Sequence, residues 1–199
     1  MSVAAPPPVV DLARAMAIDG MVTEAECRWL AEQAASSRVV VEVGVWKGRS
    51  LRAMADACQG RTYGIDRWAP MPEPERAESI INHVFAGDGG GLTLERVRSD
   101  LSDLMAEGRV HLIQAEAIEG AGILRQCLRG DPVDLVFLDA STREEDCAAQ
   151  IAAYSDLMRP GAILAGHHYQ RRPGVRSAVD RLFGSQVNRA AEQIWWVSV

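Results

Sequence analysis

The sequence predicts an α/β domain, with a mostly parallel sheet covered by helices on both faces. Three observations lead there. Short β-branched runs alternate with helical stretches along the chain. The run Val39-Val40-Val41-Glu42-Val43 is almost wholly apolar instead of alternating, as in a parallel strand buried on both faces. Residues suited to chemistry fall just past successive predicted strands: Gly44, Asp66, Glu116, Asp139, and the pair His167-His168. Open parallel sheets bind ligands at that carboxyl edge.

The elements follow in order. Met1 to Val10 carries Pro6-Pro7-Pro8 and reads as a stiff, extended lead-in without the basic start of a secretory signal. Thr23 to Ala35 is a helix, with Thr23 as N-cap and Glu26 completing a capping box. Trp29 and Leu30 are expected to face the core. Residues 1–36 are therefore a lead-in and helix, and residues 37–199 the main part of a single domain. Val39 to Val43 is the first strand, followed by a glycine-bearing turn and a helix over Ser50 to Cys58. Arg61 to Ile65 is the second strand, ending in Asp66. Pro70, Pro72 and Pro74 interrupt regular structure, Glu75 to Phe85 is a candidate helix, and Gly87 to Gly91 is a loop. One helix is expected over Thr93 to Ala106, then a third strand over Val110 to Ile113 and a helix over Ile118 to Leu128. Val133 to Leu138 is the fourth strand, ending in Asp139, and Glu144 to Met158 a helix. Pro160-Gly161 turns the chain into a fifth strand, Ala162 to Ala165. Gly174 to Phe183 is a short helix and Ile194 to Val199 the last strand.

Composition narrows the function classes. Of 199 residues, 48% are apolar and 24% charged, enough to bury the core of one domain. No apolar run approaches the roughly 20 residues that cross a bilayer, so no membrane partner is expected. The net charge of −6 is the wrong sign for a nucleic-acid face. Cys27, Cys58, Cys127 and Cys147 form no C-x-x-C pair, which favours reduced thiols in a cytoplasmic protein.

The turn Glu42-Val43-Gly44-Val45-Trp46-Lys47-Gly48-Arg49-Ser50 is the most informative segment. A dinucleotide fingerprint would need glycine where Trp46 and Arg49 stand, because pyrophosphate must approach the backbone closely. That argues against a nicotinamide or flavin dinucleotide. Asp66, at a strand end, is placed to accept both hydroxyls of a ribose, which points to a nucleoside without naming it.

The same turn resembles the first motif of class I S-adenosylmethionine-dependent methyltransferases, an acid followed by spaced glycines, with Trp46 replacing the middle one. The second half is more specific. Asp134 to Asp139, then Met158-Arg159-Pro160-Gly161, then Gly166-His167-His168-Tyr169 and Gly174-Val175 resemble a branch of small O-methyltransferases that includes enzymes acting on antibiotic sugars, the macrocin type. The resemblance runs from about Val39 to Phe183. It implies a Rossmann-like, seven-stranded sheet with an antiparallel last strand, and S-adenosylmethionine as cofactor. It implies cofactor contacts from Glu42, Gly44, Val45, Trp46, Gly48, Ser50, Asp66, Arg67, Trp68, Glu116, Ala117 and Asp139. On the last strand, one of Trp195 and Trp196 is expected in the core and the other partly exposed, at a homodimer contact.

Some members of that branch bind a divalent metal through the strand-four acid, an acid on the next helix and the last residue of gly-his-asp. Here those positions hold Asp139, Gln150 and His168, and a nearby histidine position holds Thr142. The exchange weakens a magnesium site. It leaves a softer ion on Asp139 and His168, or none; the sequence expectation is that no metal is required. Methyl transfer to oxygen needs in-line alignment and removal of a proton. One of the two histidines is the expected base, His168 first, with Asp139 orienting it; for His167 a structural hydrogen bond is the expected role. Tyr169, Arg171 and Arg172 are candidate acceptor contacts, Arg176 belongs to the same cluster, and a solvated charged face explains the arginines nearly as well. The segments Pro70 to Pro74 and Gly87 to Gly91 are candidate lids over a small-molecule acceptor. Two other readings stand beside this one: a nicotinamide-dependent oxidoreductase, and a cofactor-binding partner protein that has lost catalysis.

Overall fold

The computed structural model describes residues 10–68 and 94–199. The proline-rich start, the expected helix over Glu75 to Phe85 and both candidate lids lie outside them. The described strands form one seven-stranded sheet in the order β3-β2-β1-β4-β5-β7-β6. They are β1 (Val39–Val43), β2 (Arg61–Asp66), β3 (Val110–Gln114), β4 (Val133–Leu138), β5 (Met158–Gly166), β6 (Asn188–Ala190) and β7 (Ile194–Ser198). β1 to β5 are parallel, and β7 runs antiparallel beside β5, as expected. This is the class I methyltransferase fold the sequence predicts.

Strand alternation decides which layer each side chain joins. Val39, Val41 and Val43 pack towards α6 (Ala117–Leu128), α7 (Glu144–Ser155) and α8 (Pro173–Phe183), in a cluster with Ile65, Leu124, Tyr154 and Trp195. Val40 faces the other layer, formed by α1 (Ala13–Ala17), α2 (Glu24–Ala34) and α3 (Arg49–Ala57), with Leu30, Met54 and Phe137. The short α1 was not expected from sequence. It forms because Leu12 and Ala15 bury in that second cluster with α2 and α3. Residues 10–36 thus share the core of the domain. Trp195 is buried, and Trp196 stands 6.2 Å from Trp29, its ring partner within the chain.

The helix expected over Thr93 to Ala106 is two: α4 (Leu94–Asp100) and α5 (Ser102–Ala106), divided at the fully buried Leu101. The cause lies elsewhere in the chain. Arg52, on α3, is itself buried and donates to the Asp100 carbonyl at 3.3 Å and to both Asp103 oxygens at 2.7 and 2.9 Å. Those hydrogen bonds hold the Asp103 carboxyl down at about 2. Asp103 is exposed, so losing Arg52 strands no buried charge; it removes a buried side chain and its hydrogen bonds. Arg52→Ala is therefore expected to lower stability by about 1–2 kcal/mol. In a thermal melt that is a fall of roughly 2–8 °C in midpoint.

β5 starts earlier than expected. Pro160-Gly161 lies inside it, beyond a register shift against Val133 and Leu135, because the Gly161 N–H finds the carbonyl of Val199 at 2.5 Å. β6 was missed: three residues without a β-branched side chain carry no strand signal, and only pairing with β7 makes them one.

Candidate active site

Three backbone bonds hold the strand ends in step at the carboxyl edge. Gly44 N–H donates to the Ile65 carbonyl at 2.8 Å, Asp139 N–H to Val43 at 2.7 Å, and His167 N–H to Leu138 at 3.0 Å. Gly44 has φ 91°, and a Cβ there would lie 2.5 Å from the Asp139 carbonyl carbon, so only glycine fits. The turn continues with Trp46 at φ 50°. Its N–H donates to Asp66 Oδ2 at 2.9 Å, while Asp66 Oδ1 accepts the Trp68 N–H at 2.8 Å. Trp68 Nε1–H returns to the Trp46 carbonyl at 3.1 Å. Asp66 thus ties the turns after β1 and β2 together, and each of its oxygens keeps a further lone pair for a ligand. Of five described non-glycine residues at positive φ, three (Trp46, Trp68 and His168) lie at this edge, where backbone strain commonly marks function.

Glu42 is fully buried. Ser50 Oγ donates to its Oε1, and its Oε2 has no hydrogen-bond partner. Burial pushes the carboxyl well above its ordinary value; the Ser50 hydrogen bond opposes that, and the charges of Asp139 and Asp66 add to it. Burial thus favours the protonated carboxyl at Glu42, and one of its buried oxygens lacks a partner.

On the far side of the turn, β4 and β5 bring Asp139, His167 and His168 together. His167 is buried, with Nε2 at 3.0 Å from Glu26 Oε1 and Nδ1 at 3.3 Å from Asp139 Oδ1. His168, at φ 65°, places Nε2 at 3.2 Å from that same Oδ1, and the two imidazole rings stand 4.4 Å apart. The approach of His167 Nδ1 to Asp139 lacks hydrogen-bond alignment, and both atoms are buried without a partner. Charge attraction still operates at that distance. Burial works against an imidazolium at His167, but Asp139 and Glu26 overcome it and push the ring up to about 10. Burial likewise acts against the Asp139 carboxylate, and His167 outweighs it, leaving Asp139 below its ordinary value.

The family described as methyltransferase domain matches residues 41–169. The chain belongs to this methyltransferase family. Its matched stretch holds the glycine turn and the Asp139–His168 cluster and omits α2, which carries Glu26. No curated protein matches the chain in sequence. Among solved structures, it is similar to TomG, the O-methyltransferase from Streptomyces achromogenes involved in tomaymycin synthesis, in complex with S-adenosylmethionine. That likeness has 20% identity, covers 94% of this chain and 87% of TomG, and gives a TM-score of 0.62. An O-methyltransferase from Bacillus cereus in complex with S-adenosylhomocysteine shares 17% identity over 93% of this chain and 86% of its own, with a TM-score of 0.60. The calicheamicin methyltransferase CalS11 shares 16% over 86% and 76%, with a TM-score of 0.62. At these identities the likeness shows the fold.

The remaining predicted residues of this methyltransferase sit as follows. Gly48, at φ 91°, starts α3. Val45 is buried against Leu51 and Val97. Glu116 holds the N-cap position of α6 without a side-chain cap; it is exposed, 3.8 Å from Arg67. The next residue, Ala117, lends its carbonyl to the Tyr154 hydroxyl at 2.7 Å. Tyr169 turns away from the cluster, its hydroxyl on Asp180 at 2.5 Å and its ring beneath Arg176. Arg171 is exposed, and Arg172 takes the N-cap position of α8. Gln150 is buried beside His167 in a pocket with room for about one water; Thr142 is exposed. Sequence reasoning saw Glu26 only as a capping residue. Its box forms, Thr23 N–H donating to Oε2 at 2.9 Å, but the other oxygen reaches His167, 141 positions away.

One carboxylate oxygen and two imidazole nitrogens converge here, within 4.8 Å of one another; among the described residues this is the one such group. Two of the three atoms are orphaned. The set fits a divalent ion of intermediate hardness better than magnesium, which prefers oxygen alone.

Proposed function

We propose S-adenosylmethionine-dependent O-methyl transfer to a small-molecule acceptor. The observation that carries this reading is the buried Glu42, with an unsatisfied oxygen, flanked by Asp66 and Asp139. Asp66 and Asp139 attract a cation to this edge and repel a diphosphate, and a cation beside the buried Glu42 would draw off the proton that burial otherwise keeps on its carboxyl. S-adenosylmethionine offers a sulfonium and an ammonium; a nicotinamide dinucleotide offers two phosphates. In this reading Asp66 accepts the ribose hydroxyls and the Gly44 turn borders the amino-acid tail.

Across the turn, His168 takes the proton of the acceptor hydroxyl as oxygen attacks the sulfonium methyl in line. Asp139 orients the His168 ring. His167, charged and held between Asp139 and Glu26, has no lone pair with which to act as base. If a divalent ion were held by Asp139 and the two histidines, His168 would serve as a ligand instead of the base, and the ion would acidify the acceptor hydroxyl. The relatives TomG and CalS11 act in tomaymycin and calicheamicin chemistry. CalS11 is a TDP-rhamnose 3'-O-methyltransferase, which supports a sugar as acceptor here; a phenol is the other class proposed. The cysteines are free, which suits a cytoplasmic site of action.

Calorimetry tests the cofactor. Binding of S-adenosylmethionine and S-adenosylhomocysteine, with none for NAD, is the expected result. Asp66→Asn is expected to weaken S-adenosylmethionine about tenfold or more, as hydrogen bonds to a charged acceptor are lost. Absence of any binding heat or thermal shift with either ligand sinks the reading.

A further inference from the structure

We propose that Asp139 Oδ1, His167 Nδ1 and His168 Nε2 form a site for a first-row transition ion of the Zn2+ or Fe2+ class, with Glu26 orienting His167 from outside the coordination sphere. The proposal concerns the metal preference of this chain and does not depend on the cofactor reading.

Distance is the first support. Asp139 Oδ1 lies 3.2 Å from His168 Nε2 and 3.3 Å from His167 Nδ1. Ligands bound to one ion at about 2.1 Å, at tetrahedral to right angles, stand about 3.0–3.4 Å apart, which both oxygen–nitrogen separations meet, and the three atoms all lie within 4.8 Å of one another. The second support is what these atoms lack. Asp139 Oδ1 and His167 Nδ1 are buried and close, yet without a hydrogen bond, because their directions do not meet along an N–H axis. An ion at their common focus needs no such axis.

Glu26 supplies the third support. Its Oε1 lies 3.0 Å from His167 Nε2, which directs Nδ1 towards Asp139; an ion bound there takes the place of the Nδ1 proton, which is released as it binds. A carboxylate on the outer nitrogen of a ligating histidine is a recurrent feature of metal sites. Glu26 is itself buried and fixed by the Thr23 N–H and the Gln193 N–H at 2.9 and 3.0 Å, so this geometry is built in before any ligand arrives. It lies outside the stretch that matches the family, residues 41–169. Finally, His168 adopts a φ of 65°, a conformation costly for a non-glycine residue, and thereby brings its ring back over Asp139.

Two nitrogens and one carboxylate oxygen select against Mg2+ and for a borderline ion. Three protein ligands also leave positions open for water or a substrate oxygen.

The test uses the full chain, stripped with EDTA, dialysed, and titrated with ZnCl2 or MgCl2 in a calorimeter. One Zn2+ per chain with micromolar or tighter affinity is expected, with Mg2+ at least 100-fold weaker. Glu26→Gln should weaken Zn2+ about 10- to 100-fold, as outer-sphere losses do. His168→Ala, in a partly exposed loop, should weaken it at least 100-fold while its circular dichroism stays that of the wild type. No saturable Zn2+ binding overturns the proposal. So does Zn2+ affinity unchanged in His168→Ala, or Mg2+ bound as tightly as Zn2+. S-adenosylmethionine is titrated into the same samples: loss of that binding with Zn2+ retained strikes the proposed cofactor and leaves the metal site standing.

Discussion

Gly44→Ala is expected to lower stability by about 4 kcal/mol and to abolish cofactor binding. The left-handed backbone alone costs a non-glycine residue about 1–2 kcal/mol. Here a Cβ would also sit 2.5 Å from the Asp139 carbonyl carbon and 2.6 Å from the Ala140 nitrogen, both backbone atoms. Neither can swing aside as a side chain would. β1 and β4 are hydrogen-bonded neighbours in register up to Val43 and Leu138, so relief requires parting the strands at the point where the site begins. Gly130→Ala isolates the steric part. Gly130 has φ 96°, but nothing lies within 4 Å of its would-be Cβ, so only the left-handed penalty remains. Thermal melts of the two variants should differ by roughly 4–12 °C, the remaining 2–3 kcal/mol at 2–4 °C each. Equal midpoints would mean that β4 yields easily, and that the contact of Gly44 with Asp139 is not what fixes the turn.

The legible parts of this protein are those whose cause is local. A strand buried on both faces shows as an unbroken apolar run, so β1 and β4 stand out. A capping box is complete within four residues, so α2 begins where its sequence says. Strand ends mark the ligand edge of a parallel sheet, which is why Gly44, Asp66, Asp139 and the two histidines could be placed together. The illegible parts have distant causes. The break at Leu101 comes from Arg52, some fifty positions earlier, capturing the Asp100 carbonyl. β6 exists only because β7 passes beside it. Asp66 was expected to accept a ribose or to cap the turn that follows it; it does cap that turn through the Trp68 N–H, but its hold on the Trp46 N–H depends on positive φ angles that no sequence signal announces. Glu26 shows the same division within one side chain: Oε2 serves the local cap and Oε1 the distant His167.

That double role makes Glu26→Leu the second large effect. Oε1 accepts from His167 Nε2 and the Gln193 N–H, each at 3.0 Å, and Oε2 accepts from Thr23 N–H and Oγ1 at 2.9 and 3.1 Å. Deleting the carboxylate leaves a buried imidazolium with one uncompensated nitrogen, at a loss of about 3–5 kcal/mol. Thr23→Val removes the hydroxyl from the cap but keeps Glu26, and should cost only about 1 kcal/mol. The difference between the two variants measures what Glu26 does for His167. pH provides an independent check in chelator-treated protein. The folded state holds a proton on His167 up to about 10, against 6.5 for an ordinary imidazole. Because the folded pKa is the higher one, the stabilisation is complete below pH 6.5 and is lost as pH rises through about 10. The wild-type melting midpoint should therefore fall between pH 7 and about 10, and the fall should be shallower in Glu26→Leu, where one of the two carboxylates raising that pKa is gone. A wild-type midpoint flat across that range would mean His167 is neutral in the fold. The ring would then carry a single proton, on the nitrogen facing Asp139 or on the one facing Glu26.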